Sequence, residues 1–168
     1  MSELQITQIG ATGFAQLWPI FKAVIADGDT YSYPPDLDQA TACAMWTSAP
    51  ARCFVARRID ESGNDVVVGG YTLRPNQPGL GNHVANAGYM VAPNARGQGI
   101  ASRLCEHSLE QARYAGFTAM QFNFVVSSNA AAVRLWQRHG FVIVGQLPGA
   151  FRHVTLGPTD VYVMHRHL

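Results

Sequence analysis

Polar and apolar positions first alternate at the N-terminus, where Leu4, Ile6 and Ile9 mark a short strand. From Phe14 to Ala26 the spacing changes to that of a helix, with Phe14, Leu17, Trp18, Phe21, Val24 and Ile25 on one face. Pro19 interrupts this face and predicts a kink or a later helix start. Asp27-Gly28-Asp29-Thr30 breaks the pattern, and Tyr31-Ser32-Tyr33-Pro34-Pro35 follows as a stiff aromatic loop. Asp36 is positioned to cap a second helix that runs to about Thr47. Two strands come next, Cys53 to Ile59 and Val66 to Leu73, joined by a turn over Glu61-Ser62-Gly63-Asn64-Asp65. Residues 74 to 81 carry two prolines and two glycines and read as a surface loop.

His83 to Val91 is the central strand. Alternation puts Val84, Asn86, Gly88 and Met90 on one face and His83, Ala85, Ala87, Tyr89 and Val91 on the other. Pro93 stops the strand, because proline cannot donate to a ladder. After Arg96-Gly97-Gln98-Gly99 a helical face opens with Ile100, Leu104, Cys105, Leu109 and Ala112. A further strand spans Phe117 to Val126. Ser127-Ser128-Asn129 caps a helix over Ala130 to His139, and Gly140 ends it. Phe141 to Val144 and Val161 to Met164 read as the last two strands. Between them, Gly145 to Asp160 reads as a long Gly- and Pro-containing connection, a lid or an interface element.

Composition narrows the class. The chain has 168 residues, 48% of them hydrophobic and 14% charged, which suits one folded domain and not a disordered segment. A net charge of +1 gives no electrostatic case for nucleic acid or for a membrane surface. No apolar run approaches the ~20 residues of a spanning helix, and no leader pattern opens the chain, so a cytoplasmic location is expected. Cys43, Cys53 and Cys105 match no zinc spacing and read as reduced thiols. His165 and His167 share a strand face without a third ligand, so no metal site is expected.

The chemistry concentrates in the turn between the central strand and the next helix. Glycines remove side chains where a ligand would touch backbone, and a helix N-terminus offers unpaired N–H groups with a partial positive charge, which suits phosphate. The P-loop motif fails here, because no Gly-Lys-Ser/Thr follows. The dinucleotide fingerprint fails at its third glycine, where Ser102 stands. Asn86 and Asn123 are lone amides in apolar strands; each is either bonded within the core or a contact for a substrate carbonyl or amine. The aromatic loop likewise either packs down or contacts substrate.

Arg96, Gly99 and Ala101 fill the pattern Arg/Gln-x-x-Gly-x-Gly/Ala, which resembles the pyrophosphate loop of the GCN5-related N-acetyltransferases (the GNAT family). A second family segment resembles Asn129, Ala132, Leu135, Trp136, Gly140 and Phe141 at matching spacings, and the likeness extends over about Ala51 to Phe141. The resemblance implies a mixed α/β fold. Its centre would be a twisted, mostly antiparallel sheet of six to seven strands with one splayed parallel pair, flanked by about four helices. The whole of 1–168 would be one such domain.

It further implies acetyl-CoA as co-substrate, and no metal. Arg96, Gly97, Gln98, Gly99, Ile100 and Ala101 would hold the diphosphate, and the main chain of Tyr89, Met90 and Val91 the pantetheine arm, with Asn129 and Trp136 as further cofactor contacts. A main-chain N–H near Val91 would stabilise the thioester oxygen, with Asn86 and Asn123 as catalytic partners that hold the acceptor close to the thioester. Asp29, Tyr31 and Tyr33 would form the acceptor wall. Many relatives carry a tyrosine acid where Trp136 stands; an indole N–H donates a hydrogen bond but gives up no proton near neutrality, which leaves Tyr89 and Tyr31 as alternative donors.

The expected activity is N-acetylation of a small amine. The Asn86/Asn123 pair, Trp136 and Asp27-Gly28-Asp29-Thr30-Tyr31 resemble fungal acetyltransferases of proline-like imino acids. An acetyltransferase of the phosphinothricin type, a peptide N-terminal acetyltransferase and a non-catalytic acyl-CoA sensor are the other readings. The expected partners are a small-molecule amine and a second copy of the chain, with no nucleic acid and no membrane.

Overall fold

The computed structural model describes residues 4–168. Seven strands form one sheet in the order β1-β2-β3-β4-β5-β7-β6. The strands are β1 (Gln5–Ile9), β2 (Arg52–Ile59), β3 (Asp65–Pro75), β4 (Val84–Val91), β5 (Ala119–Val126), β6 (Val142–His153) and β7 (Gly157–His167). Four α-helices accompany them: α1 (Trp18–Asp27), α2 (Gln39–Thr47), α3 (Ile100–Tyr114) and α4 (Ala130–Arg138). Every strand pairing is antiparallel except β4 with β5. This is the expected sheet with its single parallel pair. No helix among the described residues is long and apolar enough to cross a membrane.

The helices cover both faces of the sheet. Thr72 of β3 donates its hydroxyl to the Trp46 carbonyl, so this face lies under α2. Its neighbour Tyr71 turns the other way, and its hydroxyl meets His107 Nδ1 of α3 at 2.8 Å. The α3 stripe Ile100, Leu104, Cys105, Leu109 and Ala112 is buried as its spacing predicts. Phe14, Phe21 and Trp46 build the opposite core through edge-on ring contacts. All three cysteines are free thiols, and the His165 and His167 rings adjoin at 5.0 Å.

Several expectations need correction. The Phe14–Ala26 pattern splits into a 3-10 turn over Ala11–Gln16 and then α1, with Pro19 in its first turn, where its missing N–H costs nothing. The cap of α2 is Asp38, not Asp36: its carboxylate accepts from both the N–H and the hydroxyl of Thr41, and these bonds hold its pKa below the usual carboxylate value. The largest correction concerns Gly145–Asp160, which is not a structureless connection. It forms most of a hairpin in which β6 and β7 pair from Val142↔His165 to His153↔Gly157. Pro148 is tolerated because β6 is the sheet edge and the ladder is irregular between Leu147 and Phe151. The Asp160 carboxylate staples the irregularity by accepting from the Gly149 N–H at 2.9 Å. The hairpin tip reaches α1, where the Val154 N–H donates to the Gly28 carbonyl.

Candidate active site

A split in the sheet organises the site. β4 and β5 pair only at Val84↔Ala119 and Ala85↔Met120, and then diverge. On the other side of β4, the Ala92 N–H donates to Val68 O and the Asn76 N–H to Val84 O. Bonded pairs alternate along an antiparallel ladder, so even-numbered residues of β4 turn their main-chain groups towards β3. The odd-numbered Ala87, Tyr89 and Val91 therefore turn theirs towards β5, where no strand lies opposite. Asn86 sits at the apex of the split, and its Nδ2 donates to the Gln121 carbonyl of β5 at 3.0 Å, one step beyond the last ladder pair. The amide closes the gap that the missing ladder bond would leave.

A cleft of about 850 Å³ follows this split. One wall is the aromatic loop. Tyr31 and Tyr33 stack at 5.4 Å, Tyr33 stacks on Phe21, and Trp46 Nε1 donates to the Tyr33 hydroxyl. The Tyr31 hydroxyl donates to the Tyr89 carbonyl at 2.7 Å. It can reach because β4 carries Gly88 there: a Cβ at that position would stand 3.3 Å from the Tyr31 oxygen. Burial pushes the Tyr31 pKa up, so the phenol stays a hydrogen-bond donor across the ordinary pH range. The rings of the loop pack against the core and also line the cleft with Asp29.

The far end of the cleft is the glycine turn. Gly97 and Gly99 adopt φ of +76° and +78°, a region that favours glycine, and no protein atom lies within 4 Å of where their Cβ atoms would stand. The main-chain N–H groups of Gly99, Ile100, Ala101 and Ser102 donate to no protein acceptor. Arg96 lines the same end and pairs with Asp27 at 3.2 Å. Ser102 lies in the first turn of α3, its hydroxyl 2.8 Å from His139 Nε2. These open amides, positive φ values and cationic rim match a diphosphate, and the unpaired edge of β4 matches a chain bearing amides. The residues present therefore suit coenzyme A.

Of the residues named from sequence, Asp29, Tyr31, Tyr33, Asn86 and Asn123 border one part of the cleft. Tyr89, Met90, Val91, Arg96, Gly97, Gly99, Ile100, Ala101, Asn129 and Trp136 border the rest. Asn129 also caps α4 by accepting from the Ala132 N–H. Gln98 does not join them. Its side chain accepts from Arg58 and donates to the Asn94 carbonyl, outside the cleft. Asn123 sits where the β5–β7 register shifts, accepting from the Gln121 amide and donating to Asn76 Oδ1. Asn86 and Asn123 are therefore linked through Gln121.

Tyr89 cannot serve as the proton donor. Its hydroxyl points to the α3 face, 2.7 Å from the Ser108 oxygen, whose own proton goes to the Cys105 carbonyl. Burial pushes its pKa well up. Trp136 packs on Tyr89 and Phe122, with ring centroids at 4.8 and 4.9 Å. Its indole N–H donates to no protein acceptor, and the residue borders the cleft. Sequence reasoning missed Arg74, Thr72 and Phe124, which also border the cleft. Arg74 stands opposite Asn86 in the β3–β4 register, and the period-2 pattern continued by one step past Leu73 would have placed it there.

Comparison with known proteins gives the same picture. A family model described as the Acetyltransferase (GNAT) family matches residues 15–141. N-acetyltransferase aca1 of Schizosaccharomyces pombe is 34% identical over 123 residues, 71% of this chain, and the match spans 57% of that protein's length. The solved structure of a GCN5-related N-acetyltransferase from Kribbella flavida superposes with a TM-score of 0.89 at 40% identity, covering 98% of both chains. A phosphinothricin acetyltransferase from Sinorhizobium meliloti, solved with acetyl-CoA, shares the fold at 18% identity, with a TM-score of 0.84 over 100% of this chain and 89% of its own. The split sheet, the open amides of the glycine turn and these matches together place the chain in the GNAT acetyltransferase family.

Proposed function

We propose that this protein is an acetyl-CoA-dependent N-acetyltransferase acting on a small-molecule amine of the amino acid or imino acid class, with residues 1–168 as one domain. The observation that carries the reading is the unpaired edge of β4, which leads directly into the free amides at the start of α3. Acetyl-CoA supplies an acetyl group activated as a thioester. The chain supplies position and charge. The Val91 N–H faces the gap and is placed to stabilise negative charge on a carbonyl oxygen. Tyr31 holds the neighbouring Tyr89 carbonyl and so fixes the strand edge. The Trp136 N–H would donate a hydrogen bond to the coenzyme's sulfur as it leaves, and the thiolate, of ordinary pKa ~8.5, would take up the proton that the amine sheds on becoming an amide. Bringing both reactants together in the cleft does the remaining work.

The acceptor side favours a small molecule. Tyr31 and Tyr33 stack on one another along the cleft wall and give it an aromatic surface suited to a compact acceptor. Asn86, Asn123 and Asp29 provide the polar contacts that fix a compact amine. We also assign the protein as a homodimer. The outer strand β6 exposes Val142, Ile143, Val144 and Leu147, an apolar edge of the kind that a second copy covers.

The test is coenzyme A release from acetyl-CoA with a panel of amino acids, imino acids, amines and short peptides, against acetyl-CoA alone. Release stimulated by an amino or imino acid is the expected result. Stimulation only by peptides would give the peptide reading, and binding of acetyl-CoA without stimulated release would give the sensor.

A further inference from the structure

The cleft holds one guanidinium that neither the glycine turn nor the thioester chemistry uses. Arg74 is half-buried and borders the cleft, on the same side of the sheet as Thr72 and Gly88. Among the described residues its guanidinium makes no hydrogen bond and no ion pair. It lies opposite Asn86, at the apex of the split. From there to Val91, the last residue of β4, is five strand positions, or roughly 17 Å at ~3.4 Å per residue, and the glycine turn lies beyond it. That turn has its own cations in Arg96 and Arg138. Arg74 is therefore too far away to serve the diphosphate.

The aromatic loop presents the opposite charge. Asp29 borders the cleft, is half-buried, and makes no hydrogen bond or ion pair among the described residues. The two groups are not bridged to one another, since no ion pair joins them within bonding distance. A cleft with tyrosine and phenylalanine walls that keeps one cation and one anion apart is complementary to a molecule carrying both charges. Guanidinium is suited to the planar, two-pronged contact of a carboxylate.

Resting on the acetyltransferase reading above, we propose that Arg74 is the carboxylate-binding residue of the acceptor subsite. It restricts acceptors to small molecules with an oxyanion beside the amine. Asn86 lies next to Arg74, and its Oδ1 remains available to orient the acceptor once Nδ2 is spent on Gln121. Arg74 sets specificity and takes no part in proton transfer.

The experiment measures kcat/KM for matched acceptors, an amino acid against its amide and its decarboxylated amine, with the wild-type protein, Arg74→Met and Arg74→Lys. Arg74→Met keeps the apolar stem, and a thermal melt confirms its folding. The wild-type protein is expected to prefer the acid. In Arg74→Met the ratio of kcat/KM for acid over amide falls roughly 10- to 100-fold, the size of one charge-assisted contact, through acceptor KM and with KM for acetyl-CoA unmoved. Arg74→Lys restores part of the ratio. Equal losses on acid and amide, or a rise in KM for acetyl-CoA, would overturn the assignment while leaving the acetyltransferase intact. Amine-stimulated release that is absent altogether in the wild-type protein would overturn both.

Discussion

Gly99 offers a test in which strain and binding can be separated. It sits at φ +78° at the start of α3, and a Cβ there would point into space that no protein atom occupies. Gly116, just past the end of α3, is its match: φ is +84°, its Cβ would also meet nothing within 4 Å, and it does not border the cleft. Replacing either by alanine forces a side chain into the left-handed region, at a cost of about 1–2 kcal/mol. The stiffer unfolded chain of alanine offsets about 0.4–1 kcal/mol of this. A net loss of about 1 kcal/mol lowers Tm by about 2–4 °C in a domain of this size. Both variants should therefore melt slightly and equally earlier. Only Gly99→Ala places a methyl group among the free amides of the turn. Losing one or two charge-assisted contacts there corresponds to about 1.5–3 kcal/mol, a rise of about 10- to 100-fold in the Kd for coenzyme A by calorimetry. Equal affinity in the two variants, or a weakened Gly116→Ala, would refute the assignment of this turn to the diphosphate.

Two further outcomes are expected. Trp136→Phe keeps a ring against Tyr89 and Phe122 and deletes only the N–H; kcat should fall about tenfold, or about 1.4 kcal/mol in the barrier, and an unchanged kcat would reduce Trp136 to packing. His107 should make stability depend on pH. Burial against Phe54 and beneath Tyr71 lowers its pKa from 6.5, partly opposed by Glu110, so the unfolded chain takes up the proton first as pH falls. This contribution is full above about pH 6.5 and is lost as pH drops through the lower folded value; urea midpoints between about pH 7.5 and 5 should show a slope that flattens in His107→Gln.

Periodicity alone made α3 legible, since Ile100, Leu104, Cys105, Leu109 and Ala112 repeat at helical spacing and are the residues it buries. The central strand and the glycine turn after it were readable for a related reason. Strand alternation and the need for glycine at positive φ are local rules, satisfied by neighbours in the chain. The end of the chain was not readable in the same way. Gly145 and Pro148 carry the composition of a loop, yet pairing with β7 and the Asp160 staple hold them in an edge strand. Asp38 displaced Asp36 as a cap because two bonds to Thr41 decide where α2 begins, and either aspartate satisfies the bare pattern.

The site divides along the same line. By itself, the sequence determined that a strand runs into a phosphate-suited helix start, and that Asn86 and Asn123 are lone amides among apolar residues. Only the tertiary structure decided where the sheet opens, because a ladder that stops after Ala85↔Met120 is a relation between strands far apart in sequence. The same long-range packing turned Tyr89 inward to Ser108 and sent the Gln98 side chain out of the cleft. Side-chain direction at these positions depends on which face meets which helix. Residue spacing along one strand does not carry that information.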